Sequence, residues 1–338
     1  MLKKKLLWAF ALIATTSSFV SAGSLVEPKA STTDLEIKKE SRIIGGTKAP
    51  FGAWPSTVAL LDAAKIQQIE SGSTNIPFDE ANYQAQFCGA TLISSKWVLT
   101  AAHCVVDGTT GLKSSPSSIK ALHGTSDLMD GGIRNNIRRI IVHPAYNYQT
   151  SDADIALLEL VYHSGVRTIP VSGDDAPVGL LATVVGWGAT NKNENYFPEE
   201  LYEVELPIVN RSICEGIYGT TEFTQNMICA GYSQGGKDTC KSDSGGPLMG
   251  IQYGEYVQVG ITSWGVGCAQ AGFYGAYTRL SQFDHWINSY TGNSSNRGGG
   301  YESWSRFYTP DNSGGGSLYF LLFPLSLLLL RRKVKGAV

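Results

Sequence analysis

Residues 238–247 read DTCKSDSGGP, and Ser244 stands there between an aspartate and two glycines. Tight turns use Ser, Asp and Gly for conformational reasons alone, so one interpretation is a glycine-rich turn with a small polar filler. The other interpretation is that Ser244 is a nucleophile. The decapeptide alone favours neither interpretation, and the rest of the chain has to decide between them.

The composition is that of a folded protein rich in strands and turns. The 338 residues allow one large or two modest domains, and 43% are hydrophobic against 17% charged. The formal net charge is −2, and no Lys/Arg-rich run lies in the body of the chain, so nothing indicates a nucleic-acid partner. The 38 glycines and recurrent Val/Ile/Thr/Tyr-rich runs favour short strands over long helices.

Short apolar runs bounded by turn residues predict β-strands, and aromatic residues and Ile at near-helical spacing predict a closing helix at QFDHWINSY (282–290). The predicted strands are STVALL (56–61), KWVLTAA (96–102), RRIIVH (138–143), DIALLEL (154–160), LLATVVGW (180–187) and YVQVGITSW (256–264).

The amino-terminal segment predicts export. Residues 1–22 combine a basic start, an apolar run and a small-residue end, which is typical of a signal peptide with cleavage before Gly23. Residues 23–42 are polar and are interpreted as a flexible pre-segment. In an exported chain the six cysteines are expected to form three disulfides. Sequence alone does not choose among the 15 pairings that six cysteines allow.

The carboxy-terminal segment has a separate character. A linker rich in Gly, Ser and Asn covers residues 291–316, and the tail 317–338 has an apolar stretch followed by Arg331, Arg332 and Lys333. The apolar stretch is about a dozen residues, which spans a bilayer only if the bilayer thins or flanking residues help. Loops rich in Lys and Arg prefer the cytoplasmic side, which leaves the folded domain outside.

A serine hydroxyl needs a base beside it, and the base needs a partner that fixes its tautomer. Among five histidines, His103 lies in LTAAHCV, where a small-residue corner and a neighbouring cysteine are expected to fix its backbone. A lone histidine is more often structural, so this context by itself does not identify the base. Asp154 is the first residue of the hydrophobic run DIALLEL, which predicts a buried strand. Burying a carboxylate costs free energy unless it is paired, so Asp154 is the best candidate for the partner of the base.

The motifs TAAHC (100–104), DIALL (154–158) and DSGGP (243–247) resemble those of the trypsin/chymotrypsin family of serine peptidases. Their order, His then Asp then Ser, separates this chain from subtilisin-like and α/β-hydrolase enzymes. The resemblance runs from Ile43 to about Tyr290 and includes CGATLIS, VVGWG and SWG. On this resemblance, Ser244 is a nucleophile.

The resemblance implies an all-β fold of two six-stranded antiparallel β-barrels, with a short carboxy-terminal helix and the active site in the cleft between the barrels. It implies that His103 is the general base and then acid, that Asp154 orients it, and that Ser244 forms the acyl-enzyme. The backbone N–H groups of Ser242 and Ser244 would form the oxyanion hole. The implied disulfides are Cys88–Cys104, Cys214–Cys229 and Cys240–Cys268.

The motif RIIGG (42–46) resembles the activation site of zymogens in the same family. Cleavage after Arg42 would free the α-amino group of Ile43, which by resemblance pairs with Asp243 and orders the oxyanion hole. A buried carboxylate needs a cation, and an amine made only by proteolysis acts as a switch.

Substrate choice is expected to follow Asp238, which matches the acidic pocket floor of trypsin-like enzymes and would attract Arg or Lys at the cleavage position. The alternative for Asp238 is a surface turn acid in GGKDTC. Gly265 and Gly275 match the pocket walls. Ser263, Trp264 and Gly265 resemble the strand that pairs with the substrate backbone.

Four features depart from the family pattern or extend it. Ser242 stands where the family has Gly, and its Cβ is expected to resist the oxyanion-hole geometry or to crowd the leaving group. Residues 124–132 lack the acidic pattern of the family's calcium loop, so we predict no calcium there. We also expect no cofactor. The segment between Leu61 and Gln86 is longer than usual for the family. It is either an exosite or a surface loop without function. Tyr274 suggests sensitivity to monovalent cations.

The tail resembles the Gly-Gly carboxy-terminal sorting tails of Gram-negative bacterial exported proteins. That resemblance implies type II secretion and partners in the export machinery, including a tail-removing protease. We expect a monomeric endopeptidase that cuts protein and peptide substrates. Two rival hypotheses are a catalytically silent homologue that binds or adheres, and a processing protease whose few targets are chosen by the long segment.

Overall fold

The computed structural model describes residues 44–189, 196–240 and 242–292. The expected signal peptide, the pre-segment, Arg42 and Ile43 lie outside the described residues, as do the tail and all of the linker after Gly292. Within the described ranges, no helix has both the length and the apolar character needed to cross a bilayer.

The described residues form thirteen strands and four α-helices. The strands are β1 (Thr47–Lys48), β2 (Thr57–Asp62), β3 (Gln86–Leu92), β4 (Trp97–Thr100), β5 (Ile119–His123), β6 (Ile133–Val142), β7 (Ala156–Leu160), β8 (Leu181–Gly186), β9 (Tyr202–Val209), β10 (Met227–Ala230), β11 (Pro247–Gln252), β12 (Glu255–Trp264) and β13 (Gly275–Arg279). The helices are α1 (Ala63–Glu70), α2 (Ala81–Ala85), α3 (Arg211–Tyr218) and α4 (Asp284–Thr291).

The first half of the described chain closes into a six-stranded antiparallel barrel, in the order β2-β3-β4-β7-β6-β5. Its interior is apolar: Leu60, Leu99 and Leu158 are fully buried in one cluster. Strand β7 is apolar on both faces except at Glu159, so burial rather than alternation marks it in the sequence.

The second half forms another antiparallel barrel, in the order β8-β9-β10-β13-β12-β11, which the pairing of β11 with β8 closes. The short strand β1 adds to the outside of β9. Val184, Leu206 and Tyr277 belong to the buried core of this barrel. Two six-stranded barrels with few helices confirm the predicted fold class.

The strands expected from apolar runs are present as β2, β4, β6, β7, β8 and β12, and α4 is the expected closing helix. The remaining strands were not predicted, since runs such as QFCGATL and MICA mix polar, small and apolar residues. Helix α3 was also missed.

The long segment between Leu61 and Gln86 contains α1 and α2, which the sequence did not predict. Asp62 caps α1 by accepting hydrogen bonds from the backbone N–H groups of Ala64 and Lys65, at 2.8 and 3.1 Å. At the end of α1, Glu70 pairs with Arg134 of β6. The segment is therefore tied to the first barrel as an ordered element.

Three disulfides join cysteines that are 16, 15 and 28 positions apart in the chain. Cys88 in β3 is bonded to Cys104 after β4, Cys214 in α3 to Cys229 in β10, and Cys240 to Cys268. Such cross-links stabilise a fold mainly by restricting the unfolded chain. The first and third disulfides flank the residues that form the candidate site.

Candidate active site

His103 and Asp154 are brought together by the antiparallel pairing of two strands. His103 lies in a single 3₁₀ turn, Ala102–Cys104, just after β4, and Asp154 lies just before β7. Thr100 at the end of β4 pairs with Ala156 at the start of β7. The Nδ1 atom of His103 lies 2.7 Å from Oδ2 of Asp154, and the backbone N–H of His103 donates to Oδ1 at 2.9 Å.

The carboxylate of Asp154 is 1% exposed and is satisfied on both oxygens. The hydroxyl of Ser263 on β12 donates to Oδ2 at 2.5 Å, in addition to the two contacts with His103. Burial acts to raise the pKa of Asp154, but the charge of His103 and these hydrogen bonds hold the pKa below its ordinary value. Asp154 is therefore ionised at neutral pH.

The imidazole of His103 keeps 30% of its surface exposed. Burial acts to lower its pKa, but the charge and hydrogen bond of Asp154 outweigh burial and raise the pKa above its ordinary value. The ionised Asp154 carboxylate can only accept a hydrogen bond from Nδ1. The neutral ring therefore carries its hydrogen on Nδ1. Its Nε2 atom is then free to act as a proton acceptor.

Ser244, in the second half of the chain, contacts the first barrel next to this pair. Its carbonyl oxygen accepts a hydrogen bond from the backbone N–H of Gly89 in β3, at 2.8 Å. The same oxygen lies 3.5 Å from Sγ of Cys104, the neighbour of His103. The backbone of Ser244 is thus fixed against the barrel that carries His103 and Asp154.

Two glycines permit this close approach between the barrels. Gly245 has φ +80°, and a Cβ on it would overlap the Thr100 hydroxyl and the Gly89 carbonyl. A Cβ on Gly89 would lie 2.9 Å from Cα of Gly246, too close for a real contact. The glycines around Ser244 are therefore required for packing as well as for the turn.

Ser242 lies two residues before Ser244 with φ +70°, in the region that favours glycine. This conformation costs an L-residue about 1–2 kcal/mol. Ser242 therefore adopts a backbone conformation that its Cβ disfavours. The carbonyl oxygen of Ser242 accepts a hydrogen bond from Nε2 of Gln86, at 3.1 Å. Nothing in the sequence pointed to Gln86.

Asp243 is 0% exposed, and its carboxylate accepts hydrogen bonds from the N–H groups of Gly188, at 2.9 Å, and Cys240, at 3.0 Å. Burial raises the pKa of Asp243 to about 7. Among the described residues no cationic side chain pairs with it. A Cβ on Gly186 or Gly188 would overlap the carboxyl group, so VVGWG surrounds it with backbone.

Asp238 lies at 8% exposure, so the surface-turn alternative does not hold for it. Its oxygens accept hydrogen bonds from the backbone N–H groups of Thr239, at 2.8 Å, and Ala269, at 2.9 Å. Burial raises its pKa to about 6. No described cationic side chain is paired with it, so this carboxyl group can bind a cation from outside.

Two glycines lie close to Asp238 and to each other. A Cβ on Gly275 would lie 3.2 Å from Oδ1 of Asp238, whereas one on Gly265 would meet nothing closer than 3.8 Å. Ser263 and Trp264 end β12 directly before Gly265. The structure therefore brings the residues expected at the pocket floor and walls to one place.

Tyr274, directly before Gly275, is held by a contact that the sequence did not predict. The hydroxyl of Tyr218 in α3 donates to the Tyr274 carbonyl at 2.6 Å and accepts from its backbone N–H at 2.9 Å. The Tyr218 ring also packs edge-on against Trp264, with centroids 4.9 Å apart. Tyr218 thereby contacts both the end of β12, at Trp264, and the residue that precedes β13.

Within the described parts of the chain, one group of residues has metal-ligand types at metal-like spacing: Cys88, His103 and Cys104. The two cysteines are bonded to each other, so neither offers a thiolate. His103 is already engaged by Asp154. This group is therefore better described as part of the His103–Asp154 site.

Comparison with known proteins places these observations in a family. The trypsin family model matches residues 43–287. The chain is 41% identical over 212 residues to "Trypsin" from Phaedon cochleariae, covering 61% of this chain and 79% of that protein. It is 34% identical over 263 residues to "Trypsin 5G1" from Aedes aegypti, covering 76% and 87%. It is also 35% identical over 266 residues to "Serine proteinase stubble" from Drosophila melanogaster, covering 74% of this chain and 31% of that protein.

Proposed function

This chain belongs to the trypsin family of serine proteases, and we propose that it is made as an exported zymogen that, once cleaved between Arg42 and Ile43, cuts peptide bonds after Arg and Lys. The chain is a serine endopeptidase. The observation that supports this specificity is the buried carboxyl group of Asp238, which accepts hydrogen bonds from two backbone N–H groups and the Thr239 hydroxyl but is paired with no described cationic side chain.

The proposed chemistry uses three side chains. Oγ of Ser244 attacks the carbonyl carbon of the scissile bond, and its proton passes to Nε2 of His103. Asp154 stabilises the resulting imidazolium through Nδ1. The N–H groups of Ser242 and Ser244 stabilise the oxyanion of the tetrahedral intermediate. Collapse of the intermediate expels the amine, which takes the proton from His103, and leaves the acyl group on Ser244. Water then attacks this acyl-enzyme by the same steps and releases the acyl group.

The proposed specificity follows from desolvation. A carboxylate with little water around it gains most from a cation that supplies both charge and hydrogen-bond donors, as Arg and Lys do. Gly265 and Gly275 leave room for a long side chain. The end of β12, at Ser263 and Trp264, would pair with the extended substrate backbone.

The proposed activation step relies on Asp243. A buried carboxyl group with a pKa of about 7 is unstable as an anion unless a cation joins it. The carbonyl of Ile44 accepts a hydrogen bond from the N–H of Asp238 at 3.2 Å, which is consistent with the new terminus docking near the pocket. A freed ammonium on Ile43 would supply the cation. Arg42 suits the proposed specificity, so one molecule can activate another.

The proposed route of export rests on segments outside the described residues. It comprises a signal peptide at 1–22, an activation propeptide at 23–42, the peptidase domain, and the sorting tail 317–338 after its linker. The tail would be cut by an intramembrane protease before release or surface display by type II secretion. The relatives named above come from insects, so a Gram-negative bacterial origin rests on the tail alone. Mass spectrometry of the exported protein tests these boundaries.

The activity is tested with chromogenic peptides that end in Arg, Lys or Phe. The protein is first cleaved after Arg42, and Ser244→Ala serves as the control. Turnover of the Arg and Lys peptides that disappears in the control supports the proposal. Turnover of the Phe peptide alone contradicts the assigned specificity, and no turnover of any peptide favours a silent, binding homologue.

A further inference from the structure

A buried hydroxyl group without a partner lies on β12, at Thr262. This residue is 6% exposed, and its Oγ1 atom has no hydrogen-bond partner among the described residues. The other described serine and threonine hydroxyls in this state all precede the second barrel, and they belong to Ser56, Thr57, Thr91 and Ser164. A buried hydroxyl that makes no hydrogen bond costs free energy, so the hydroxyl of Thr262 requires a physical reason.

The backbone of Thr262 lies directly beside the turn that carries the proposed nucleophile. Its N–H donates to the carbonyl of Gly246 at 2.9 Å, and its carbonyl accepts from the N–H of Gly245 at 2.8 Å. Gly245 and Gly246 are the two residues that follow Ser244. Two hydrogen bonds therefore fix Thr262 next to the place where the scissile bond would lie.

On its other side, Thr262 pairs with Tyr277 of β13. Directly paired residues of an antiparallel sheet point to the same face, so these two side chains are neighbours. The Tyr277 hydroxyl lies 3.4 Å from Oγ1 of Thr239, which itself lies 3.5 Å from Oδ1 of Asp238. A Cβ on Gly275 would lie 3.0 Å from the Tyr277 hydroxyl and 3.2 Å from that carboxylate oxygen. Thr262 thus lies between the nucleophile and the residues around the buried carboxylate.

Arg and Lys would meet this wall of the pocket differently. The guanidinium group of Arg is planar and binds a carboxylate through two parallel hydrogen bonds, so Asp238 suits it directly. Lys has the shorter side chain, and its compact ammonium group carries three donors. Its ammonium would therefore lie nearer to Ser244 and would need an acceptor on the wall. The hydroxyl of Thr239 is engaged with Asp238 and Tyr277, whereas that of Thr262 is not.

We propose that Thr262 is a specificity-determining residue whose hydroxyl accepts a hydrogen bond from the ammonium group of a Lys substrate. This inference rests on the proposed function, in which Asp238 forms the pocket floor. The hydroxyl and the methyl group of threonine have similar size, so rotation about χ1 between staggered rotamers turns the hydroxyl towards the arriving cation. Binding of Lys then removes the cost of the unpaired hydroxyl, which binding of Arg does not do.

The first test is Thr262→Val, which removes the hydroxyl and keeps the shape of the side chain. An unpaired hydroxyl contributes no hydrogen bond to the fold, so the variant should be at least as stable as the wild type. After cleavage at Arg42, kcat/KM for a Lys peptide should fall about three- to tenfold, the worth of one hydrogen bond. That for the matching Arg peptide should change less than about twofold. Thr262→Ser, which keeps the hydroxyl, should retain the wild-type ratio of Lys to Arg cleavage.

The matched control is Thr91→Val, which removes an unpaired hydroxyl from a fully buried threonine in β3 of the first barrel. We expect it to leave the ratio of Lys to Arg cleavage unchanged. A second measurement avoids turnover: calorimetry on the cleaved Ser244→Ala protein compares n-butylammonium with benzamidine, an amidinium. Addition of Thr262→Val should weaken binding of n-butylammonium about three- to tenfold and that of benzamidine less than about twofold.

The outcomes separate this inference from the proposed function. If the wild type cleaves both peptides and Thr262→Val lowers neither rate, or lowers both equally, the role of Thr262 is wrong and the proposed function stands. If the wild type cleaves neither peptide, the proposed function is wrong. The two cations then decide the role of Thr262, and equal loss, no loss or no binding of either cation overturns it. A loss confined to Lys peptides and n-butylammonium supports the inference.

Discussion

The carboxyl group of Asp238 and Cα of Gly275 face each other so closely that a methyl group on Gly275 would lie 3.2 Å from Oδ1 of Asp238. The same methyl group would lie 3.0 Å from the ring of Tyr277, which is fully buried and cannot move aside. A side chain at residue 275 would therefore crowd the carboxylate.

Gly275→Ala should therefore exclude long cationic side chains from the carboxylate. We expect kcat/KM for Arg and Lys peptides to fall about 10- to 200-fold, the usual effect of one misplaced methyl group in a pocket. Steady-state kinetics on enzyme counted by active-site titration measures this loss. The matched control is Gly216→Ala in α3, where a Cβ meets nothing within 4 Å. Equal kinetics in the two variants would show that Gly275 does not line the substrate pocket.

Cation binding at Asp238 should depend on pH in a defined direction. Its pKa in the free protein is raised to about 6, and only the ionised form attracts a cation. The affinity for benzamidine should therefore be constant above about pH 7 and fall about tenfold per pH unit well below 6. Calorimetry on the cleaved Ser244→Ala protein measures this without turnover. Asp238→Asn should bind weakly at every pH; an unchanged profile in that variant would place the titrating group elsewhere.

The sequence predicted the two-barrel fold and the site because the informative residues are clustered in short motifs. His103, Asp154 and Ser244 each lie in a local pattern whose chemistry is recognisable without coordinates. Strands such as β8 and β12 were found because continuous Val/Ile/Thr runs are rare outside sheets. Short or mixed strands such as β10 give no such signal, since their burial is set by neighbours in the barrel.

The contacts that refine the site were not predictable, because they join residues far apart in the chain. Gln86 and Ser242 are separated by 156 positions, and Tyr218 and Tyr274 by 56. Each contact uses a common side chain and a backbone carbonyl, so no residue pattern marks it. Ser242 was noticed only because it departs from the family, and its positive φ gives that departure a physical cost.

Acid should destabilise this fold through His123, a buried histidine outside the site. Neither ring nitrogen has a hydrogen-bond partner among the described residues, and burial lowers its pKa. The unfolded chain, with an ordinary histidine pKa of about 6.5, therefore takes up the proton first as pH falls. The free energy of unfolding should thus decrease as the pH falls below about 6.5, and His123 should contribute to this decrease.

His123→Leu should reduce that loss, because leucine does not titrate and leaves no unpaired polar atom. Thermal unfolding of the Ser244→Ala protein between pH 7.5 and 5 measures the effect and avoids self-digestion. His163→Leu is the control, since the His163 ring bonds Ser95 at 2.8 Å near the surface. A pH dependence that is the same in both variants would contradict a role for His123.

Activity should also be lost at alkaline pH, for a reason that lies at Asp243. In the proposed active form its carboxylate pairs with the α-ammonium of Ile43, which raises the pKa of that amine above the ordinary 7.7–8.0. The ion pair stabilises the active form fully below the ordinary pKa of the amine. This stabilisation is lost as the pH rises through the raised pKa of the Ile43 amine. The fraction of competent enzyme should therefore fall at alkaline pH, as active-site titration measures. A variant that starts one residue earlier, with a neutral acetylated terminus, should be poorly active throughout; equal activity in that variant would disprove the ion pair as the switch.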